Sequence, residues 1–116
     1  MLAEDEALLR KAIKKILSEN PEYEICFEAS NGATALEYLA SHKADILISD
    51  IRMPSIDGLE LIKQIYEKGI KVKVIVLSGY NDFEYARHML KYGAFTYLLK
   101  PIDPTVYKFP SPIYPQ

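Results

Sequence analysis

Tryptophan is absent from this 116-residue chain, and cysteine occurs once, as Cys26. A lone cysteine cannot close an internal disulfide, which points to a reducing, cytoplasmic setting. No apolar run approaches the ~20 residues of a membrane-spanning helix. The opening Met1-Leu2-Ala3-Glu4-Asp5-Glu6 has no basic stretch followed by an apolar one, so no secretory leader is expected. Charge of one sign is also lacking. A net charge of -2 argues against a surface built for nucleic acid or for an anionic membrane, and neither is expected as a partner. What is present is a 49% apolar content, enough for one compact core in a chain of single-domain length.

No internal repeat is visible; apolar strand-like runs alternate with segments of helical period. Leu8, Leu9, Ala12, Ile13, Ile16 and Leu17 share one face of a helix expected over 7–18, and Asn20-Pro21 ends it. Residues 23–29 read as a strand that includes Cys26, expected to be a small core residue. Ser30 or Asn31 is placed to cap a helix over about 32–41 that buries Ala35, Leu36 and Leu39. Residues 45–49 form a strand ending at Asp50. A loop with Pro54 leads to a helix over about 58–68, which buries Leu59, Ile62 and Ile65 and stops at Gly69. Val72 to Leu77 is β-branched and suited to burial on both faces. Asp82 is expected to cap a helix running to about Tyr92, which Gly93 ends, and 95–99 is the last clear strand. This alternation implies right-handed βαβ units around a parallel sheet.

In open parallel sheets the reactive groups gather beyond the carboxyl ends of the strands. Here those ends carry Glu4 and Asp5, Asp50, Ser78 and Lys100. One acid at a strand end is ordinary solvated surface; the joint pattern is not. Three neighbouring carboxylates resist ionisation without a counter-charge. Mg²⁺ answers that need, since it takes oxygen ligands from carboxylates, water and phosphate. Lys100 adds a second positive charge for a phosphoryl oxygen, and the Ser78 hydroxyl has a hydrogen bond to give to another. A carboxylate so placed is a competent nucleophile toward phosphorus.

The stretches Ala3-Glu4-Asp5-Glu6, Asp45-Ile-Leu-Ile-Ser-Asp50-Ile-Arg-Met-Pro54-Ser-Ile-Asp57-Gly58, Val76-Leu-Ser78-Gly79 and Gly93-Ala94-Phe-Thr-Tyr97-Leu-Leu-Lys100-Pro101 resemble the receiver domain of two-component response regulators. The resemblance runs from residue 3 to about 104, and leaves 105–116 as a proline-rich tail. It implies a three-layer α/β, flavodoxin-like, doubly wound parallel sheet of five strands in the order 2-1-3-4-5. Carried over residue by residue, it makes Asp50 the phospho-acceptor. Asp5 ligates Mg²⁺ directly, Glu4 contributes through the metal's water shell, and Asp50 and the backbone carbonyl of Arg52 complete the set. The Arg52 side chain is given no part. Ser78 contacts the phosphoryl group, Lys100 pairs with Asp50 or its phosphate, and Tyr97 changes rotamer as Ser78 moves. The implied donor is a sensor histidine kinase. The implied output is a switch, not an enzymatic turnover, read on the face made by 82–99. The stretch Ser78-Gly-Tyr-Asn-Asp-Phe-Glu-Tyr-Ala86 looks like receivers fused to AraC-type helix-turn-helix domains, which implies transcriptional control in a longer parent chain.

Both ends depart from the family. Only Met1-Leu2-Ala3 precede Glu4, so the first, central strand is expected to be short and to leave neighbouring backbone groups unpaired. Pro110, Pro112 and Pro115 forbid a regular last helix. Val106, Tyr107, Phe109, Ile113 and Tyr114 would then cover the open sheet face or pair with a second chain, and a homodimer through that face or through 82–99 follows as an expectation. Three other functions compete. An aspartyl phosphatase wants a second acid two residues after the nucleophile, where Arg52 stands. A flavin binder wants a phosphate loop after the first strand, where Glu4-Asp5-Glu6 would repel it. A truncated or inert receiver would act as an interaction module only. His42 and His88 read as surface residues, and Tyr80, Phe83 and Tyr85 as packing or interface residues.

Overall fold

The computed structural model describes residues 1–79 and 82–100, with Phe83 as backbone only. The elements run β1 (Leu2–Ala3), α1 (Ala7–Ser18), β2 (Glu28–Ala29), α2 (Gly32–Ser41), β3 (Ile46–Asp50), α3 (Gly58–Glu67), β4 (Lys73–Ser78), α4 (Phe83–Lys91) and β5 (Thr96–Leu99). The strands form one parallel sheet in the order β2-β1-β3-β4-β5, as the resemblance implied. The expected loss of a last helix and the apolar cover from 106–114 lie outside the described residues.

The sheet divides the core in two because neighbouring strand residues point to opposite faces. Leu2, Ile48, Ile75 and Leu77 pack with Ile13, Ile16 and Leu17 of α1. Ala3, Leu47, Val74 and Val76 pack with Ala35 and Leu39 of α2, Leu61, Ile62 and Ile65 of α3, and Ala86 and Met89 of α4. The expected stripe on α1 needs one correction: Leu8 is 82% exposed and outside the cluster in which Ile13, Ile16 and Leu17 meet the sheet. On α3 the fully buried positions are Leu61, Ile62 and Ile65, with Leu59 half-buried.

β1 is two residues long, as expected, but it is paired on both sides. The Leu2 and Glu4 N–H groups donate to the carbonyls of Phe27 and Ala29, and Ile48 N–H donates to the carbonyl of Met1. The Met1 ammonium donates to the Ile46 carbonyl at 3.0 Å. The cost of the short strand falls instead on β2. Of the strand expected over 23–29, only Glu28–Ala29 joins the ladder, with Leu2 opposite Glu28 and Ala3 opposite Ala29. A cleft of about 310 Å³ opens there, lined by Met1, Leu17, Tyr23, Cys26 and Ile46 among others. Cys26 is therefore exposed and not a core residue.

Asn31 caps α2 by accepting the Thr34 N–H, and Gly69 and Gly93 take the left-handed conformation after α3 and near the end of α4. Gly32 and Gly58 matter for a different reason. A Cβ at Gly32 would overlap the Ile56 carbonyl, and one at Gly58 would overlap the Asp50 carbonyl. The β3–α3 loop is thus clamped between two close backbone approaches. Gly58→Ala is expected to cost about 1–3 kcal/mol by urea denaturation, the usual range for overpacking; an unchanged midpoint and slope would show that the loop yields freely.

Candidate functional site

β1, β3, β4 and β5 end at one rim of the sheet and deliver the residues singled out above. β3 carries Asp50 to its last position, opposite Leu77 of β4, so Ser78 stands one residue further out. Ser78 in turn faces Leu99 of β5, and its carbonyl accepts the Lys100 N–H at 2.9 Å. The ladder therefore fixes where the Lys100 side chain starts, and its Nζ donates to Asp50 Oδ2 at 2.9 Å. The other oxygen, Asp50 Oδ1, accepts the Ile51 N–H at 2.8 Å.

Glu4 follows β1 directly and is fully buried, whereas Asp5 beside it is exposed. Carboxylate oxygens of Glu4, Asp5 and Asp50 lie within 4.8 Å of one another. Glu4 Oε2 accepts the Glu6 N–H at 2.9 Å. Glu4 Oε1 has no hydrogen-bond partner among the described residues, and Lys100 Nζ stands 3.9 Å away, beyond hydrogen-bond reach. Arg10, one turn into α1, donates to the Glu4 carbonyl at 2.6 Å and pins this strand end; its role carries no sequence signal beyond helical spacing.

Burial pushes the Glu4 carboxyl up to about 8; the Asp50 and Asp5 carboxylates add to this and the Glu6 N–H opposes it. Burial works against the Lys100 ammonium too, but the Asp50 hydrogen bond and the Asp50 and Glu4 charges outweigh it and hold its pKa above the usual value. Three carboxylates and one ammonium leave negative charge uncompensated and one buried oxygen unpartnered. A hard cation with oxygen ligands answers both, and the all-oxygen donor set suits Mg²⁺.

Three expected residues stand outside this cluster. The Ser78 hydroxyl donates to the Gly79 carbonyl at 3.1 Å and bonds neither the acids nor Lys100 among the described residues. Tyr97 is half-buried on β5, opposite Val76, and packs against the core on the α2–α4 side. The Arg52 side chain, given no part by the resemblance, is 66% exposed yet pairs with Asp82 at 2.9 Å and lies 5.1 Å from the centre of the Tyr85 ring. Asp82 makes no side-chain cap bond to α4, contrary to expectation; its Oδ1 accepts from Arg52 instead. Nothing in the sequence links residues thirty apart on two loops.

The raised Glu4 pKa has a consequence for stability. Without metal, the folded protein keeps a proton on Glu4 up to about 8, whereas the unfolded chain loses it near 4.5. The stability from Glu4 is fully present below about 4.5, is lost as pH rises, and is gone above about 8. Glu4→Gln keeps an acceptor for Glu6 N–H and cannot ionise. In EDTA its stability is expected to pull ahead of wild type with a slope of at most about 1.4 kcal/mol per pH unit between those limits. Urea denaturation across that range measures the gap; parallel profiles would contradict the raised pKa.

The profile of the response regulator receiver domain matches residues 1–108. Over 103 residues the chain is 36% identical to the transcriptional regulatory protein DegU of Brevibacillus brevis, covering 89% of this chain and 44% of that protein. Over 104 residues it is 40% identical to the uncharacterized transcriptional regulatory protein YesN of Bacillus subtilis, covering 89% and 28%. The chain thus spans less than half the length of these two relatives. Among solved structures, the REC domain of AraT, a response regulator from Geobacillus stearothermophilus, superposes with a TM-score of 0.79 at 39% identity, covering 90% of this chain and 81% of that one. The fold is shared with that solved REC domain, and the family match over residues 1–108 agrees with it: the chain belongs to the response regulator receiver domain family.

Proposed function

We propose that this receiver domain accepts a phosphoryl group on Asp50 from a phosphohistidine of a sensor histidine kinase and switches conformation in response. The observation that carries this reading is the pairing of Asp50 with Lys100 at 2.9 Å beside the Glu4 and Asp5 carboxylates. In the transfer, an Asp50 carboxylate oxygen forms a bond to phosphorus, the phosphorus–nitrogen bond of the donor breaks, and the imidazole leaves with the electron pair and takes up a proton. Glu4, Asp5, Asp50 and the Arg52 carbonyl are the residues that would hold Mg²⁺, which neutralises charge on the phosphoryl oxygens when bound. Lys100 pairs with a phosphoryl oxygen once the Asp50 charge is spread over the acyl phosphate. Ser78 donates its hydroxyl to another, and Tyr97 follows Ser78.

We assign residues 1–104 to the receiver domain and 105–116 to a proline-rich tail. The output is a population shift and not an enzymatic turnover. Exposed Tyr85, Leu90, Phe95 and Leu99 support an output or homodimer surface on the 82–99 face. Regulation of transcription would belong to a longer parent chain, with an AraC-type domain as the partner that the stretch 78–86 favours, and this chain itself would contact neither nucleic acid nor membrane. Among the described residues no helix is long and apolar enough to cross a membrane, which agrees with action in the cytoplasm beside a kinase.

Mg²⁺ with beryllofluoride, or with acetyl phosphate, is expected to shift the amide resonances of Asp50, Ser78 and Lys100, and Asp50→Asn to abolish the response. Spectra that do not move in the wild type would leave an interaction module in place of a phospho-acceptor. A response retained in Asp50→Asn would refute the assignment of the acceptor.

A further inference from the structure

The loop that follows Asp50 reaches across the rim to α4. Arg52 Nε donates to Asp82 Oδ1 at 2.9 Å, and the Arg52 guanidinium lies over the Tyr85 ring at 5.1 Å. The acceptor end of this bridge is well shielded: the Asp82 side chain is 12% exposed against 66% for Arg52. Asp82 occupies the N-cap of α4, where an aspartate ordinarily accepts N–H groups of the first helical turn. It forgoes that role, and α4 starts without a side-chain cap. A helix end that gives up its cap to hold a residue on another loop is joined to that loop.

The residue before Arg52 is tied on both of its backbone groups. Ile51 N–H is bound to Asp50 Oδ1, and Gly58 N–H to the Ile51 carbonyl. A displacement of the 50–52 backbone therefore has two outlets: the carboxylate of Asp50 and, through the Arg52 side chain, the first turn of α4.

We infer that the Arg52–Asp82–Tyr85 bridge makes Arg52 and Asp82 positioning residues for the acid cluster, coupling metal binding at Glu4, Asp5 and Asp50 to the conformation of α4. The coupling rests on the metal-binding reading given above. It holds the Arg52 backbone, including the carbonyl assigned to the metal, through a side chain whose partners are Asp82 and Tyr85. By reciprocity, whatever metal binding does to α4, the state of α4 does to metal affinity. This route runs through the β3–α3 loop and is separate from the one through Ser78 and Tyr97.

The test uses Arg52→Gln, Asp82→Asn and the double variant of the full chain, with MgCl₂ as the probe and amide NMR as the readout. Asn is as good an N-cap as Asp, so Asp82→Asn removes the ion pair and keeps a residue able to cap α4 at that position. Each single variant is expected to weaken Mg²⁺ binding by about three- to tenfold and to shrink the Mg²⁺-induced shifts of residues 84–91. The double variant is expected to match the singles, because both substitutions remove one bridge. Without any metal, Arg52→Gln is expected to speed amide exchange at Ala86 and Arg87. Losses that add in the double variant overturn the coupling. Exchange that is unchanged at Ala86 and Arg87 overturns the bridge itself. A wild-type spectrum unmoved by Mg²⁺ overturns the metal reading and the coupling with it, and the exchange measurement still decides the bridge.

Discussion

Asp50 and Lys100 are fifty residues apart in the chain and 2.9 Å apart in the fold, and the rest of the rim is arranged around that contact. Asp50 is almost wholly buried and Lys100 partly so. A buried pair of this kind returns little net stability, but removing one partner strands the other and costs about 3–5 kcal/mol. The ion pair therefore acts as a condition on the sheet. β3 must end at Asp50, β4 must run one residue further to Ser78, and β5 must be in register so that the Lys100 N–H meets the Ser78 carbonyl. A slip of one residue anywhere in this series would turn the strand over and send the side chain to the wrong face.

The two-residue β1 is the least expected element to succeed at the centre of a sheet. It does so because Leu2 and Ala3 are wholly buried, one on each face, and because its backbone is bonded to both neighbours. Its function is to deliver Glu4. The same burial that stabilises Leu2 and Ala3 removes water from Glu4, and this raises its pKa. The strand that is shortest thus carries a carboxyl that burial keeps protonated, and strand burial and the charge of the rim are linked through one side chain.

The loops on this rim are held by contacts between loops and by few contacts within them. Ser55, with a left-handed backbone, accepts the Ala33 N–H and donates to Asn31 at the start of α2. Ile56 closes over Gly32, Gly58 over Asp50, and Arg52 over Asp82. The β3–α3 loop thereby touches the start of α2 on one side and the start of α4 on the other.

The period of the apolar residues was enough for the helices, whose bounds differ from expectation by a residue or so, and for β3, β4 and β5. It was enough too for the strand-end rule that names Glu4, Asp5, Asp50, Ser78 and Lys100, because strand ends are local events in the chain. Where it failed, the cause was a partner elsewhere. Cys26 and residues 23–27 look like strand, but a strand needs a neighbour, and of 23–29 only Glu28 and Ala29 pair with β1. Leu8 fits the helical stripe, but burial needs a sheet beneath it. Asp82 is a natural cap, but Arg52 from another loop takes its carboxylate. The amino-acid sequence by itself determined which chemical groups stand at the strand ends, since periodicity and chain order place them there. Only the tertiary structure decided how those groups are charged and what holds them, since burial and pairing depend on residues that meet across the fold.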